Sequence, residues 1–143
     1  HDHKDVTKEA AERGNNVISC LRNRMYFDRY ISHERGRIEP LAFPQVTELH
    51  KVYNFDPVPE DLDAQYHNRV IGVQGNLWTE YVPTNEVAEY RTFPRMAMLA
   101  EVAWTNQELR NWENMNRKLP YMFEIYDRWG LHYNRVYIST GSN

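Results

Sequence analysis

The sequence predicts an α/β fold built on parallel strands, and three observations carry that prediction. Two short apolar runs, residues 16–20 and 70–74, read as buried strands. Helical patterns lie before, between and after them, and strands joined through helical crossovers pair in parallel. Only two strands can be read, and a two-stranded parallel sheet leaves open edges and uncovered faces. The chain therefore reads as part of a larger α/β structure.

The elements follow in order. Residues 4–13 form a polar helix that Gly14 can close as a C-cap. Residues 16–20 form the first strand, and a polar loop leads to residues 25–30. Residues 32–44 read as irregular, because Gly36, Pro40 and Pro44 interrupt them. Residues 46–53 suit a helix, Asp56-Pro57-Val58-Pro59 a rigid turn, and residues 60–68 a second short helix. Residues 70–74 form the second strand, broken by Gly75-Asn76. Met96, Leu99, Ala100 and Ala103 follow helical spacing, with Pro94 placed in the first turn. Leu109, Trp112 and Leu119 follow it in part. Met122, Ile125, Tyr126 and Trp129 follow it fully, up to Gly130. Pro120 is expected to separate two helices, since proline lacks the N–H of a helix interior.

Length and composition narrow the function. At 143 residues the chain is one domain's worth, with no linker or repeat to divide it. A net charge of −3 supplies no positive field for nucleic acid. No apolar run reaches the roughly 18 residues of a membrane span. The single cysteine, Cys20, excludes an internal disulfide and any multi-cysteine zinc site. His1-Asp2-His3-Lys4 shows neither an initiator methionine nor an apolar leader, so the chain is expected to be processed or cut from something longer. His1 and His3 read as a terminal remnant, and His33, His50, His67 and His132 have no ligand spacing. Arg22, Arg24 and Arg29 form a charge cluster that a solvated loop would explain.

The densest chemistry lies in residues 72–81. A strand ends there, Gly75 allows close approach, and Trp78, Glu80 and Tyr81 follow at once. Side chains at the C-terminal end of a parallel strand point into the usual α/β ligand crevice. An indole can cover the apolar face of a pyranose, and a carboxylate two residues on can accept from its hydroxyls. A core tryptophan and a helix-capping glutamate would fit the same pair. Tyr26 and Asp28 occupy the equivalent place after the first strand, offering a phenol donor and an acceptor, on one face if that stretch is extended. A surface turn would fit them as well.

Taken together, residues 72–80 and Phe93-Pro94-Arg95-Met96-Ala97-Met98-Leu99-Ala100-Glu101-Val102-Ala103-Trp104 resemble glycoside hydrolase family 20, the β-N-acetylhexosaminidases. The family pattern is a glutamine, a Leu-Trp-Thr-Glu-Tyr element, then a Phe-Pro-Arg helix carrying Ala-Glu and a tryptophan. Residues 52–59 resemble the stretch before the family's last barrel strand. Val17-Ile18-Ser19 with Tyr26-Phe27-Asp28 resemble the preceding strand and its loop. The resemblance covers residues 10–133.

It implies that residues 1–143 are the C-terminal portion of a (β/α)8 TIM barrel: the last two strands with their helices, incomplete alone, since a full barrel takes roughly 250 residues. It further implies exo-acting removal of terminal N-acetyl-D-hexosamine by substrate-assisted retaining catalysis, without cofactor or metal. Tyr26 would donate to the acetamido oxygen, Asp28 accept from the sugar 6-hydroxyl, Trp78 wall the acetamido pocket, and Glu80 accept from the 4- and 6-hydroxyls. The family's Asp-Glu catalytic pair is expected on an earlier strand. Glu60-Asp61 has the reverse order, so the isolated chain is expected to be inactive. The partners implied are glycans ending in N-acetylhexosamine and the remainder of the barrel, or self-association in its place. Family habit implies a periplasmic or secreted enzyme. Arg95 and Glu101 are read as structural ion-pairing groups, and Cys20 as a buried strand residue facing the barrel. The alternative is a non-catalytic amino-sugar-binding module, or a structural fragment that self-associates.

Overall fold

A computed structural model describes residues 6–33 and 39–135 of the chain. His1, His3, the start of the helix expected at 4–13, and Gly36 lie outside the described residues. Helix α1 (Thr7–Glu12) buries Thr7 and Ala11 and ends before Gly14, which takes the left-handed conformation at φ +85°. Strand β1 (Val17–Ser19) follows. A single turn, α2 (Arg22–Met25), replaces the polar loop expected there. Strand β2 (Arg29–Tyr30) is followed by β3 (Phe43–Val46) and α3 (Leu49–Tyr53). The Asp56 carboxylate accepts from the Val58 N–H at 3.0 Å and fixes the predicted turn. The helix expected at 60–68 is a 3-10 helix over Ala64–Arg69, capped by Asp63. Strand β4 (Val70–Val73) leads to α4 (Asn85–Thr92), α5 (Arg95–Trp104) and α6 (Trp112–Trp129).

The predicted parallel pairing is present. β1 and β4 pair in parallel, Ile18 opposite Gly72 and Ser19 opposite Val73. The pairing continues beyond the strands. Gln74 N–H donates to the Ser19 carbonyl, Asn76 N–H to that of Met25, and Phe27 N–H to that of Asn76. The loops after both strands therefore leave side by side. A second parallel pair, β2 with β3, corrects the reading of residues 32–44 as wholly irregular. Two residues in one strand and Pro44 in the other leave too little alternation to read. Each described sheet has two strands, and neither closes into a barrel.

The core lies between α3, α5, α6 and the loops after β1 and β4, centred on Met25, Phe27, Val52, Met98, Leu119 and Phe123. Two helix faces differ from expectation. On α5 the buried residues are Arg95, Met98 and Val102, while Met96 is 43 % exposed. A buried arginine counts as polar in a hydropathy reading and turns the apparent stripe by one residue. On α6 the buried residues are Met115, Leu119, Phe123 and Tyr126, whereas Ile125 and Trp129 are exposed. Pro120 lies inside α6 rather than between two helices. It sits on the exposed side, where solvent can serve the Asn116 carbonyl that loses its N–H partner.

Candidate active site

All four residues singled out from the sequence line one open cleft of about 430 Å³ beyond the C-terminal ends of β1 and β4. Tyr26 and Asp28 come from the loop after β1, Trp78 and Glu80 from the loop after β4. The backbone bridge between Tyr26 and Asn76 sets these loops at a fixed separation. The Tyr26 and Trp78 rings stand 6.4 Å apart, inclined by 56°, and form two sides of the cleft. Gly75 sits where a Cβ would meet the Phe27 ring at 2.8 Å and Leu99 at 2.9 Å, so a larger residue here would force those two side chains to shift.

Trp78 is 53 % exposed, so within this chain it is not a core residue and its indole is open to the cleft. Glu80 is exposed and caps no helix; Thr84 caps α4 by accepting from Val87 N–H. Asp28 is 5 % exposed, so its turn is buried rather than on the surface. Its Oδ1 has no hydrogen-bond partner among the described residues. Burial pushes the Asp28 carboxyl above the ordinary aspartate range; the charges of Arg29 and Arg95 pull it down and that of Glu80 pushes it up.

Four more residues complete the lining: Arg22, Arg29, Phe43 and Gln45. Arg29 is buried in β2, with its guanidinium 5.7 Å from the Tyr26 ring centre, rather than in a solvated loop. Burial, and then the charge of Arg22, lowers its pKa. Phe43 and Gln45 were hidden from sequence reasoning by the missed strand β3. The available sign was Phe43 and Val46 flanking a single proline. Phe43 meets Tyr81 edge-on at 5.0 Å.

Two structural expectations fail here. Arg95 is wholly buried and donates to the backbone carbonyls of Phe27, Arg29, Thr47 and Arg91; Glu101 instead accepts from the Thr105 hydroxyl. Cys20 is half-buried, one residue past the end of β1, and accepts from the Asn76 side-chain amide. His33 and His50 both approach the Glu48 carboxylate at 3.8 Å.

An open aromatic face, two carboxylates and a phenol around one cleft suit a polyhydroxylated ring. Glycosyl hydrolases are one class that places such a cleft at the C-terminal ends of parallel strands. Residues 1–107 match the catalytic domain of glycosyl hydrolase family 20, and the chain belongs to that family. It is 34% identical over 107 residues to a beta-hexosaminidase of Porphyromonas gingivalis, a match covering 73% of this chain and 14% of that protein. Its fold is similar to the family 20 exo beta-N-acetylglucosaminidase of Vibrio harveyi, solved with N-acetylglucosamine, at a TM-score of 0.77 and 25% identity, over 93% of this chain and 21% of that one. It is also similar to the Streptomyces plicatus N-acetyl-beta-hexosaminidase, at a TM-score of 0.76 and 25% identity, covering 90% and 25% respectively. The chain thus spans a quarter or less of each of these relatives' lengths.

Proposed function

We propose that residues 1–143 are the C-terminal segment of the (β/α)8 catalytic barrel of an exo-acting β-N-acetylhexosaminidase. In this reading β1 and β4 are the last two barrel strands, and the remaining strands cover their free edges. The enzyme removes terminal N-acetylhexosamine from glycans, in the periplasm or outside the cell. Catalysis is substrate-assisted and retaining. The acetamido carbonyl oxygen attacks the anomeric carbon as the glycosidic bond breaks. A glutamic acid from an earlier strand protonates the leaving oxygen, and a neighbouring aspartate orients the acetamido nitrogen. Water then opens the oxazolinium ion with retention.

This segment supplies half of the terminal-sugar pocket. The Tyr26 hydroxyl donates to the acetamido oxygen, Trp78 walls the acetamido pocket, Glu80 accepts from the 4- and 6-hydroxyls, and Asp28 accepts from the 6-hydroxyl. The observation that carries this reading is the convergence of these four residues, from two loops far apart in sequence, on one cleft.

The test is made in the full-length enzyme, with an aryl N-acetyl-β-glucosaminide as substrate. Trp78→Ala and Glu80→Gln are each expected to lower kcat/KM by about 1–3 orders of magnitude, the scale of lost contacts at a desolvated site. Tyr26→Phe should lower kcat more than it raises KM, because its partner gains charge during the reaction. Unchanged kinetics in both the Trp78 and Glu80 variants would overturn the assignment.

A further inference from the structure

We propose that Arg95, backed by Arg91, is a positioning residue that fixes where the Asp28 carboxylate meets the sugar. The proposal rests on the reading of Asp28 as a sugar contact. Both arginines are wholly buried, four residues apart across the junction of α4 and α5. Arg95 donates to the carbonyl of Phe27 and, at 3.2 Å, to that of Arg29. Those carbonyls belong to the residues on either side of Asp28. The same guanidinium reaches the Thr47 carbonyl just past β3, at 3.4 Å, and lies 4.9 Å over the Phe27 ring.

Arg91 repeats the pattern one turn earlier. It donates to the Arg29 carbonyl at 3.2 Å and to the carbonyls of Pro40 and Leu41. It also pairs with Glu39 at 3.7 Å, and Glu39 accepts from the backbone N–H groups of Ile31 and Ser32. The Arg91 backbone carbonyl in turn accepts from Arg95 Nε at 2.9 Å, and both guanidinium groups donate to the Arg29 carbonyl, which joins the two sets of contacts. The backbone is thereby held on both sides of Asp28 and before and after β3.

A guanidinium is costly to bury, and an apolar side chain of similar volume would fill the space with less desolvation. What the apolar replacement lacks is the planar fork that holds several carbonyls at set angles. Arg95 also places a positive charge near Asp28, which favours the ionised, accepting form that burial opposes.

The experiment uses the full-length enzyme and two substrates, an aryl N-acetyl-β-glucosaminide and its 6-deoxy counterpart. The wild type is expected to prefer the 6-hydroxyl substrate by about tenfold or more in kcat/KM, as sites built to hydrogen-bond a hydroxyl do. Asp28→Asn should lower that preference to the part that Glu80 sustains. Arg95→Met should lower it to the same level, and adding Asp28→Asn to it should bring no further loss. Arg95→Lys keeps the charge without the fork, so the preference should fall part-way.

A folded Arg95→Met variant that keeps the preference, or that loses activity equally on both substrates, overturns the proposal and marks Arg95 as a general support of the fold. If Arg95→Met does not fold, Arg95→Lys decides: an unchanged preference overturns the proposal. If Asp28→Asn itself keeps the preference, the sugar-contact reading of Asp28 has failed, and that failure is visible separately from the arginine result.

Discussion

Asp28 is held in a setting that opposes its own charge. Its folded-state pKa is raised by burial, with Glu80 adding to the effect. The sign follows from linkage. Below the unfolded value the group is neutral in both states and carries no penalty; above its raised folded value it is charged in both, and the folded state bears the full desolvation cost. Asp28→Asn is therefore expected to raise the melting temperature of the full-length enzyme at neutral pH. The gain should shrink as pH falls through the folded-state pKa toward the ordinary aspartate value. Thermal unfolding across that range checks it, and a gain that grows toward acid pH would refute the electrostatic reading. The same substitution should cost activity, the usual trade at a binding site. At this scale much was legible. Trp78 and Glu80 could be placed because glycine, aromatic and carboxylate follow a strand end at once. Tyr26 and Asp28 occupy the matching place after β1. Arg29, Phe43 and Gln45 were not legible as cleft residues, because β2 and β3 are positioned by buried arginines from helices some fifty residues away, and no local pattern reports that.

The helices show how an amphipathic pattern can be misread. Along α6 two apolar stripes overlap: Met115, Leu119, Phe123 and Tyr126 face the core, and Ile125 and Trp129 face out. Phe123 packs against Tyr133 at 4.9 Å, with Tyr126 beside it. Phe123→Ala is expected to cost about 3–5 kcal/mol of stability. Trp129→Ala should change it by no more than about 0.5 kcal/mol. Denaturant titration separates the two, and equal losses would return the inward face to the stripe through Trp129. Tyr126 belongs to both stripes, so the sequence supports the helix while leaving its rotation open. Helix α4 passed unread because Asn-Glu-Val-Ala-Glu-Tyr-Arg-Thr carries no apolar stripe. Its one legible mark is Thr84, whose hydroxyl accepts from the Val87 N–H at the N-cap. The buried residue of that helix is Arg91, and a polarity scale places arginine outside.

Considered whole, the chain leaves several large apolar side chains uncovered. Ile18 of β1 and Ile71 of β4 are more than half exposed, and Trp104 at the end of α5 is 90 % exposed. Both sheets also have unpaired edges among the described residues. Residues 1–143 expressed alone are expected to self-associate through these surfaces. Sedimentation should give a mass that rises with concentration, and a constant monomeric mass would show that the uncovered faces do not drive association. The α/β class and the parallel pairing were legible at this scale, because strand count and crossover order depend on long-range arrangement only through simple rules.

The backbone bridge between Tyr26 and Asn76 has a further consequence, in time rather than in space. It extends a parallel pairing whose two strands are separated by about fifty residues, and such a closure gives up chain entropy before its contacts form. Tyr26 and Trp78 therefore cannot face one another until β1 has met β4. With either strand unpaired the two loops are not held together, so the cleft between Tyr26 and Trp78 exists only once this long-range pairing has formed.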